Sequence, residues 1–267
     1  MIRSFKGVTA LVTGASSGIG KAMVRELAGQ GAHLILASRS VQRLEQEAED
    51  LKIRFGVSVH IFPADLSRPE KCRELFEWTL KRSLVVDFLV NSAGLAHYGP
   101  FSDTSLEDTS EMLDLNIQAL THLTRLFLPG MLERKTGGVL NVASTAGFQP
   151  IPCLSVYAAT KAFVLNFSEA LWAECKGQDV RIFCLCPGNT RTRFHQTAKI
   201  DRQRMFFSAS AADVARFGLR KFLRSNRPSA IYGFWNKLMI YAERWVPRRL
   251  TVFFTRLIYR REKRTGT

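Results

Sequence analysis

Three observations predict a doubly wound α/β domain built on a parallel sheet. Short β-branched or apolar runs alternate with longer amphipathic stretches from Val8 to Cys186. Small residues, Thr13, Gly14, Gly18 and Gly20, cluster between the first run and the first amphipathic stretch. No Gly/Ser/Pro-rich linker, internal repeat or low-complexity segment divides the chain. Strands separated by single helices need crossover connections, and right-handed crossovers place helices on both faces of a parallel sheet.

The strands read, in order, as Val8 to Thr13, Ala32 to Ala37, Val57 to Phe62, Val86 to Val90, Gly138 to Ala143 and Val180 to Cys186. Each consists of residues that suit a sheet buried on both faces. The first helix runs to Gln30, with Gly29 and Gly31 bracketing its end, and the second covers Val41 to Phe55. A third is expected from Pro69 to Arg82, with Ser67 ahead of Pro69 and Glu70 as its start signal. Helical periodicity continues around Leu106 to Arg134 and from Val156 to Lys176.

At 267 residues, 46% hydrophobic and 23% charged, the chain is an ordinary globular protein able to bury a core, not a disordered or fibrous one. Folds of this class with about 250 residues often form one domain. The expected partition is a domain over residues 1–231 and a basic helical appendage over 232–267. The net charge is +15, and +9 of it lies from Arg224 onward, on eleven basic residues against Glu243 and Glu262. Such charge suits nucleic acid, a membrane surface or acidic ligands. It is concentrated in a tail without a nucleic-acid motif, so no nucleic-acid partner is expected.

Cys72, Cys153, Cys175, Cys184 and Cys186 show no disulfide framework, which suits a reducing compartment and a cytoplasmic location. The apolar run Val8 to Val12 is too short for a signal-peptide core, and no run reaches the 18 or so apolar residues of a spanning helix. His33, His60, His97, His122 and His195 lack zinc-site spacing, so no metal is expected.

The pattern T-G-x-x-x-G-x-G, from Thr13 to Gly20, includes Ser16, Ser17 and Ile19 and opens the first helix. Small residues and free backbone N–H groups at a positive helix end suit a diphosphate, although the spacing departs from G-x-G-x-x-G and a plain glycine-rich turn would look similar. At the end of the second strand, where an acidic residue would hold the ribose of NAD, stand Ser38, Arg39 and Ser40. A guanidinium there suits a 2′-phosphate, so NADP(H) is expected, with a solvated strand-end arginine as the alternative. Tyr157 and Lys161 share one helix face, and a cation beside a phenol lowers the phenol's pKa from about 10 toward neutrality.

With Asp65 after the third strand, Asn91-Ser92-Ala93-Gly94 after the fourth, Asn116, Ser144, and Pro187-Gly188 followed by Thr190 and Thr192, the chain resembles the short-chain dehydrogenase/reductase family from Val8 to about Ile231. The resemblance implies a Rossmann-like fold, a homodimer or homotetramer, and the following roles. Ser144 hydrogen-bonds the substrate oxygen, Tyr157 is the acid or base, Lys161 perturbs Tyr157 and holds ribose, and Asn116 supports a water-linked proton relay. Asp65 and Leu66 border the adenine, Asn91, Ala93 and Gly94 line the cofactor cleft, and Thr190 and Thr192 meet the nicotinamide end. Ser92 replaces a second Asn common in the family.

By the same resemblance the substrate lies against Leu95, Tyr98, Phe101, Phe148, Ile151, Leu154, Phe194, Met205, Phe206 and Phe207. That lining favours a hydrophobic carbonyl or alcohol. Arg191, Arg193, Lys199, Arg202 and Arg204 would suit an anionic head group, or form a solvated basic loop. A catalytically idle regulatory or membrane-surface scaffolding protein is the competing reading, and the complete set of Ser144, Tyr157 and Lys161 weighs against it. After Ile231 two helical stretches flank Pro247. Trp235, Leu238, Met239, Ala242 and Val246 form one apolar stripe, and Leu250, Phe253, Phe254, Leu257 and Ile258 another. Either the stripes pack on the domain or a second subunit, or they enter a headgroup boundary while arginines meet anionic lipid.

Overall fold

A computed structural model describes residues 2–192 and 208–259. Among them, seven parallel strands form one sheet in the order β3-β2-β1-β4-β5-β6-β9. These are β1 (Thr9–Thr13), β2 (His33–Ser38), β3 (Val59–Pro63), β4 (Phe88–Asn91), β5 (Gly137–Val142), β6 (Val180–Cys186) and β9 (Ser229–Ile231). Two short strands, β7 (Thr190–Arg191) and β8 (Ala209–Ser210), pair outside it. The helices are α1 (Gly18–Gly29), α2 (Val41–Phe55), α3 (Pro69–Lys81), α4 (Leu106–Leu113), α5 (Leu120–Glu133), α6 (Ser155–Glu174), α7 (Ala211–Arg224), α8 (Phe234–Glu243) and α9 (Arg248–Tyr259).

The sheet buries both faces because alternate residues of each strand point to opposite layers. In β1, Ala10 and Val12 join a core with Met23, Val24 and Leu27 of α1 and Val214 and Leu219 of α7. Leu11 joins the opposite core with Leu75 of α3 and Leu123, Phe127 and Met131 of α5. The helices thus cover both faces, as the alternation of runs predicts. β1 is bonded to β2 on one side and β4 on the other, with Val12 in register with Leu36 and Val90. The chain reverses its direction of winding there, and the crevice beyond the strands' carboxyl ends is the place where such sheets hold ligands.

Two local details refine the expected helices, although α3 does begin at Pro69 and the stretch around Leu106 to Arg134 is helical as expected. Ser67 does not cap α3: Arg68 holds the cap position, while the Ser67 amide and hydroxyl both donate to Asp65 Oδ1, at 3.1 and 2.8 Å. A carboxylate two residues back offers Ser67 a tighter local partner than the helix end. The stretch from Leu106 to Glu133 is not one regular helix either, because Asp114–Ala119 between α4 and α5 is a π-helical turn. Such wide turns are frequent at functional sites, and this one carries Asn116. No helix among the described residues is long and apolar enough to cross a membrane.

Candidate active site

The loop after β1 is shaped by its glycines. Gly14 and Gly18 adopt φ of +67° and +55°, a left-handed conformation that side chains other than glycine's rarely take without cost. A Cβ on Gly14 would come within 3.0 Å of the Ala93 backbone, and one on Gly20 would run into the Gly14 carbonyl. α1 begins at Gly18 with no side-chain bond from Ser17 and no acidic residue in its first turn. Its leading N–H groups therefore receive no acceptor from their own cap. Ser16 is partly exposed, and Ile19 packs against the core. Thr13 Oγ1 accepts from the amides of Ser92 and Ala93, both at 3.0 Å, and so ties this loop to the one after β4.

At the next strand end, the Ser38 hydroxyl is buried without a hydrogen-bond partner among the described residues. Arg39 projects to 57% exposure, and its guanidinium donates to Glu111 Oε1 of α4 at 2.8 Å. The carboxylate that the sequence lacks near Arg39 is supplied in space, 72 positions along the chain. His97 and Asp108 lie beside Glu111, with one donor atom from each of the three within 4.8 Å of the others. Leu66 is buried beside Asp65.

Behind the crevice lies a buried polar network. Asn91 Nδ2 donates to Thr124 Oγ1 at 3.1 Å and to Asn141 Oδ1 at 2.9 Å, and Asn141 Nδ2 donates to Ser168 Oγ at 2.9 Å. From the π turn, Asn116 Nδ2 donates to the Leu95 carbonyl at 2.9 Å and to Thr160 Oγ1 at 3.0 Å, while its Oδ1 accepts from the Leu95 amide at 2.9 Å. Both amide protons of Asn116 are used, so the side chain braces the strand-to-helix loop against α6. A Cβ on Gly94 would meet Asn116 Oδ1 at 3.0 Å and Lys161 Nζ at 3.4 Å, which explains the residue's size.

Lys161 is 6% exposed and donates to the Val142 carbonyl at 3.0 Å. Burial lowers its pKa to about 8. One turn earlier on α6 stands Tyr157, whose side chain is hydrogen-bonded to Ser144. Burial pushes its phenol up to about 12, with the Ser144 bond working downward and nearby Tyr259 upward. The expectation of a phenol depressed by Lys161 is thus corrected. The ammonium lies 5.8 Å from the Tyr157 ring centroid, and desolvation of the phenolate outweighs it. Ser144 Oγ also accepts from the Ala146 amide at 3.1 Å, which fixes the hydroxyl at the start of a 3₁₀ turn, Thr145–Phe148. Beyond β6, the Pro187 carbonyl accepts from the Thr145 amide, Thr190 Oγ1 donates to the Gly188 carbonyl, and the Thr192 side chain lies across from Gly18.

The short chain dehydrogenase family model matches residues 8–203. The chain belongs to the short-chain dehydrogenase family. It is 38% identical over 197 residues to the very-long-chain 3-oxoacyl-CoA reductase of Anas platyrhynchos, a match covering 72% of this chain and 63% of that protein. It is 31% identical over 259 residues to hydroxysteroid dehydrogenase-like protein 1 of Gallus gallus, covering 94% of this chain and 77% of the other. Among solved structures it resembles a short-chain dehydrogenase from Sphingobium yanoikuyae in complex with NADPH, with a TM-score of 0.80, 29% identity, and coverage of 97% of this chain and 98% of that one.

In this short-chain dehydrogenase the structure gathers only part of the expected substrate lining. Ile151 and Leu154 join Ala96, Ala146, Ala158, Tyr98 and Tyr157 in one apolar cluster. Leu95 is buried nearby in sequence, whereas Phe148 packs in a different cluster with Ile231 and Ile240. Phe101 is 63% exposed, because its 3₁₀ turn carries it outward. Arg191 is exposed. Phe194, His195, Met205, Phe206, Phe207, Arg193, Lys199, Arg202 and Arg204 lie outside the described residues.

Two residues that the motifs do not mark come from the C-terminal helices of this short-chain dehydrogenase. Asn236 of α8 sits against Gly188, where a Cβ would collide with its amide, and its Nδ2 donates to the Tyr232 carbonyl at 2.8 Å. Tyr259 of α9 enters the cluster around Tyr157, and its carbonyl accepts from the Tyr98 hydroxyl at 2.8 Å. The only sequence signal for either was their place on helices that begin where the family resemblance ends.

Proposed function

We propose that the protein is an NADP(H)-dependent carbonyl reductase, or the reverse dehydrogenase, that works on an apolar substrate at the surface of an anionic membrane. The observation that carries this reading is the hydrogen-bonded pair Ser144 and Tyr157 at the floor of an apolar shell. The residues fit the cofactor: a glycine turn with no room for side chains, the unpartnered Ser38 hydroxyl and the Arg39 guanidinium suit a diphosphate, a ribose and a 2′-phosphate respectively. The NADPH complex of the Sphingobium relative and the NADPH complex of L-sorbose reductase from Gluconobacter frateurii, 28% identical, support that assignment. Gly14, Ser16, Ser17, Gly18, Ile19 and Gly20 would hold the diphosphate end, Asp65, Leu66, Asn91, Ala93 and Gly94 the adenine and cleft, and Pro187, Gly188, Thr190 and Thr192 the nicotinamide end.

When bound, NADPH supplies the hydride. The chain supplies the rest. Ser144 and Tyr157 hydroxyls donate to the substrate oxygen as negative charge develops on it, and Tyr157 gives up its proton to complete the alcohol. A phenol held near 12 is fully protonated at neutral pH, the state an acid needs. Lys161, a cation below about pH 8, favours the phenolate left behind. Asn116 holds the loop that carries Leu95, the position from which it would support a water-linked proton relay.

The outward faces of α8 and α9 support the membrane location. Trp235, Leu238, Met239, Val246, Leu250, Phe253, Phe254, Leu257 and Ile258 are between 37% and 60% exposed, so their own domain leaves about half of each stripe uncovered. Lys237, Arg244, Arg248, Arg249 and Arg256 interleave them. Apolar side chains among arginines match a headgroup boundary of anionic lipid. On this reading residues 1–231 form the catalytic domain and 232–267 a lipid-facing extension. The relative named as a very-long-chain 3-oxoacyl-CoA reductase points to long-chain oxoacyl carbonyls as the substrate class. The test is turnover of a carbonyl panel graded from small ketones to long-chain 3-oxoacyl thioesters, followed by NADPH absorbance with and without anionic vesicles. NADPH oxidation that rises with chain length and with vesicles is expected. Failure to turn over any member, with NADPH binding intact, would leave the idle-scaffold reading in its place.

A further inference from the structure

α9 is attached to the catalytic domain along one narrow line. Thr251, Thr255 and Tyr259 recur every four residues and so share a face. Thr251 and Thr255 are 6% and 4% exposed, while Leu250, Phe253, Phe254 and Leu257, on the opposite side, remain in the open. The footing therefore consists of two small side chains and one large one. The large one packs, with Tyr98 and Tyr157, against a cluster of Ala96, Ala146, Ile151, Leu154 and Ala158, in which the three alanines contribute little bulk. Tyr259 thus packs on this shell beside Tyr98 and Tyr157, close enough to Tyr157 to raise its pKa, and it belongs to the last described turn of α9 rather than to the sheet or its crossover loops. Its main-chain carbonyl accepts from the Tyr98 hydroxyl at 2.8 Å. Tyr98 comes from the loop after β4, so the bond spans from catalytic domain to extension.

We propose that Tyr259 is the movable wall of the substrate pocket, latched by the Tyr98 hydroxyl, and that it selects substrates by how readily their chain displaces the end of α9. The proposal rests on the reading of Ser144 and Tyr157 as the reducing site. A long acyl chain whose carbonyl lies between the Ser144 and Tyr157 hydroxyls has to push the ring aside, and the footing of α9 is slight enough to yield. Selectivity then resides 161 residues from the latch, in a helix that the rest of the site does not contain.

The experiment compares the full chain with Tyr259→Ala and Tyr98→Phe in two measurements. In the first, kcat/KM is taken across the graded carbonyl panel. Removing the ring should raise the value for the longest 3-oxoacyl thioesters by about tenfold or more relative to the smallest ketone, with the gain in KM, and Tyr98→Phe should shift it the same way by less. In the second, hydrogen exchange of the 252–259 amides is followed without substrate. Tyr98→Phe should speed it by about tenfold in α9 while leaving α6 unchanged, since the latch is a single neutral hydrogen bond. A uniform change across the panel, or equal exchange in the variant and the native chain, overturns the proposal. Should no carbonyl be reduced at all, the reading of the site fails separately, and the exchange measurement alone decides the latch: acceleration confined to α9 supports it, and equality removes it.

Discussion

Around β4, β5 and α6 the protein hides polar side chains, and along α8 and α9 it shows apolar ones. The first region contains Asn91, Asn116, Asn141, Lys161 and Ser168, all buried and all bonded to one another or to backbone. The second leaves Trp245 at 90% exposure and Phe253 at 55%. Both depart from the usual sorting of residues, in opposite senses, and each departure marks a task that folding alone does not require. Buried polar groups cost stability unless they are paired, and of these five side chains only Asn91 leaves an atom, its Oδ1, without a partner among the described residues, so the network holds a loop geometry. Exposed apolar groups gain nothing from the fold, so their use lies with something outside it.

The comparison can be broken at its strongest point first. Tyr157→Phe deletes one hydroxyl from the polar side and should lower kcat by about three orders of magnitude, while NADPH binding, read by fluorescence titration, stays close to native. A related measurement concerns pH. Because Lys161 titrates near 8 and Tyr157 near 12, kcat/KM for reduction should fall above about pH 8, by about tenfold per unit, as the ammonium loses its proton and not as the phenol does. A profile flat to pH 10 would deny Lys161 its part.

Next in size is Asn116→Ala, which strands the Leu95 amide and carbonyl and one bond of Thr160. A loss of about 2–4 kcal/mol in denaturant unfolding is expected; a loss under about 0.5 kcal/mol would show that the network is ornamental. Arg39→Ala should weaken NADPH by about 10- to 100-fold with NADH little changed, the range for hydrogen bonds between charged groups. Glu111→Gln, which frees that guanidinium from its ion pair, should tighten NADPH by a few fold, since exposed pairs are worth about 1 kcal/mol at most. The smallest change in stability belongs to the apolar side. Phe253→Ser and Leu257→Ser should each leave unfolding within about 0.5 kcal/mol of native, yet each should reduce cosedimentation with anionic vesicles by about tenfold. If they alter the oligomeric state instead, measured by light scattering, a second copy of the chain covers the stripe.

Much of the fold was legible because buried parallel strands announce themselves as short apolar runs, and α2 and β6 fall where periodicity places them. The glycine loop was legible for a similar reason: Gly14, Gly18 and Gly20 each answer a backbone demand that another residue meets poorly. The π turn was not, because one extra residue per turn shifts the apolar periodicity too little to interrupt the helical pattern from Leu106 onward. The Arg39 pair with Glu111 and the Tyr98 bond to Tyr259 join residues remote in sequence, and nothing local encodes either. The tail taught the opposite lesson. Its apolar stripes were plain in the sequence, but amphipathicity alone does not say which face turns inward, and in α9 the face that does is the threonine line.

Gly188 sets a rule for anyone who would rebuild this enzyme. The turn after β6 leaves just enough space for the amide of Asn236, so α8 is seated on the loop that the proposed reading puts at the nicotinamide end of the cleft. Grafting the tail of a relative onto this domain, or this tail onto a relative, would bring together a turn and a helix that were never fitted. Any side chain at position 188 would displace the Asn236 amide from its seat. The exchangeable module accordingly starts before Pro187, and a chimera joined at Ile231 would inherit a helix without its socket.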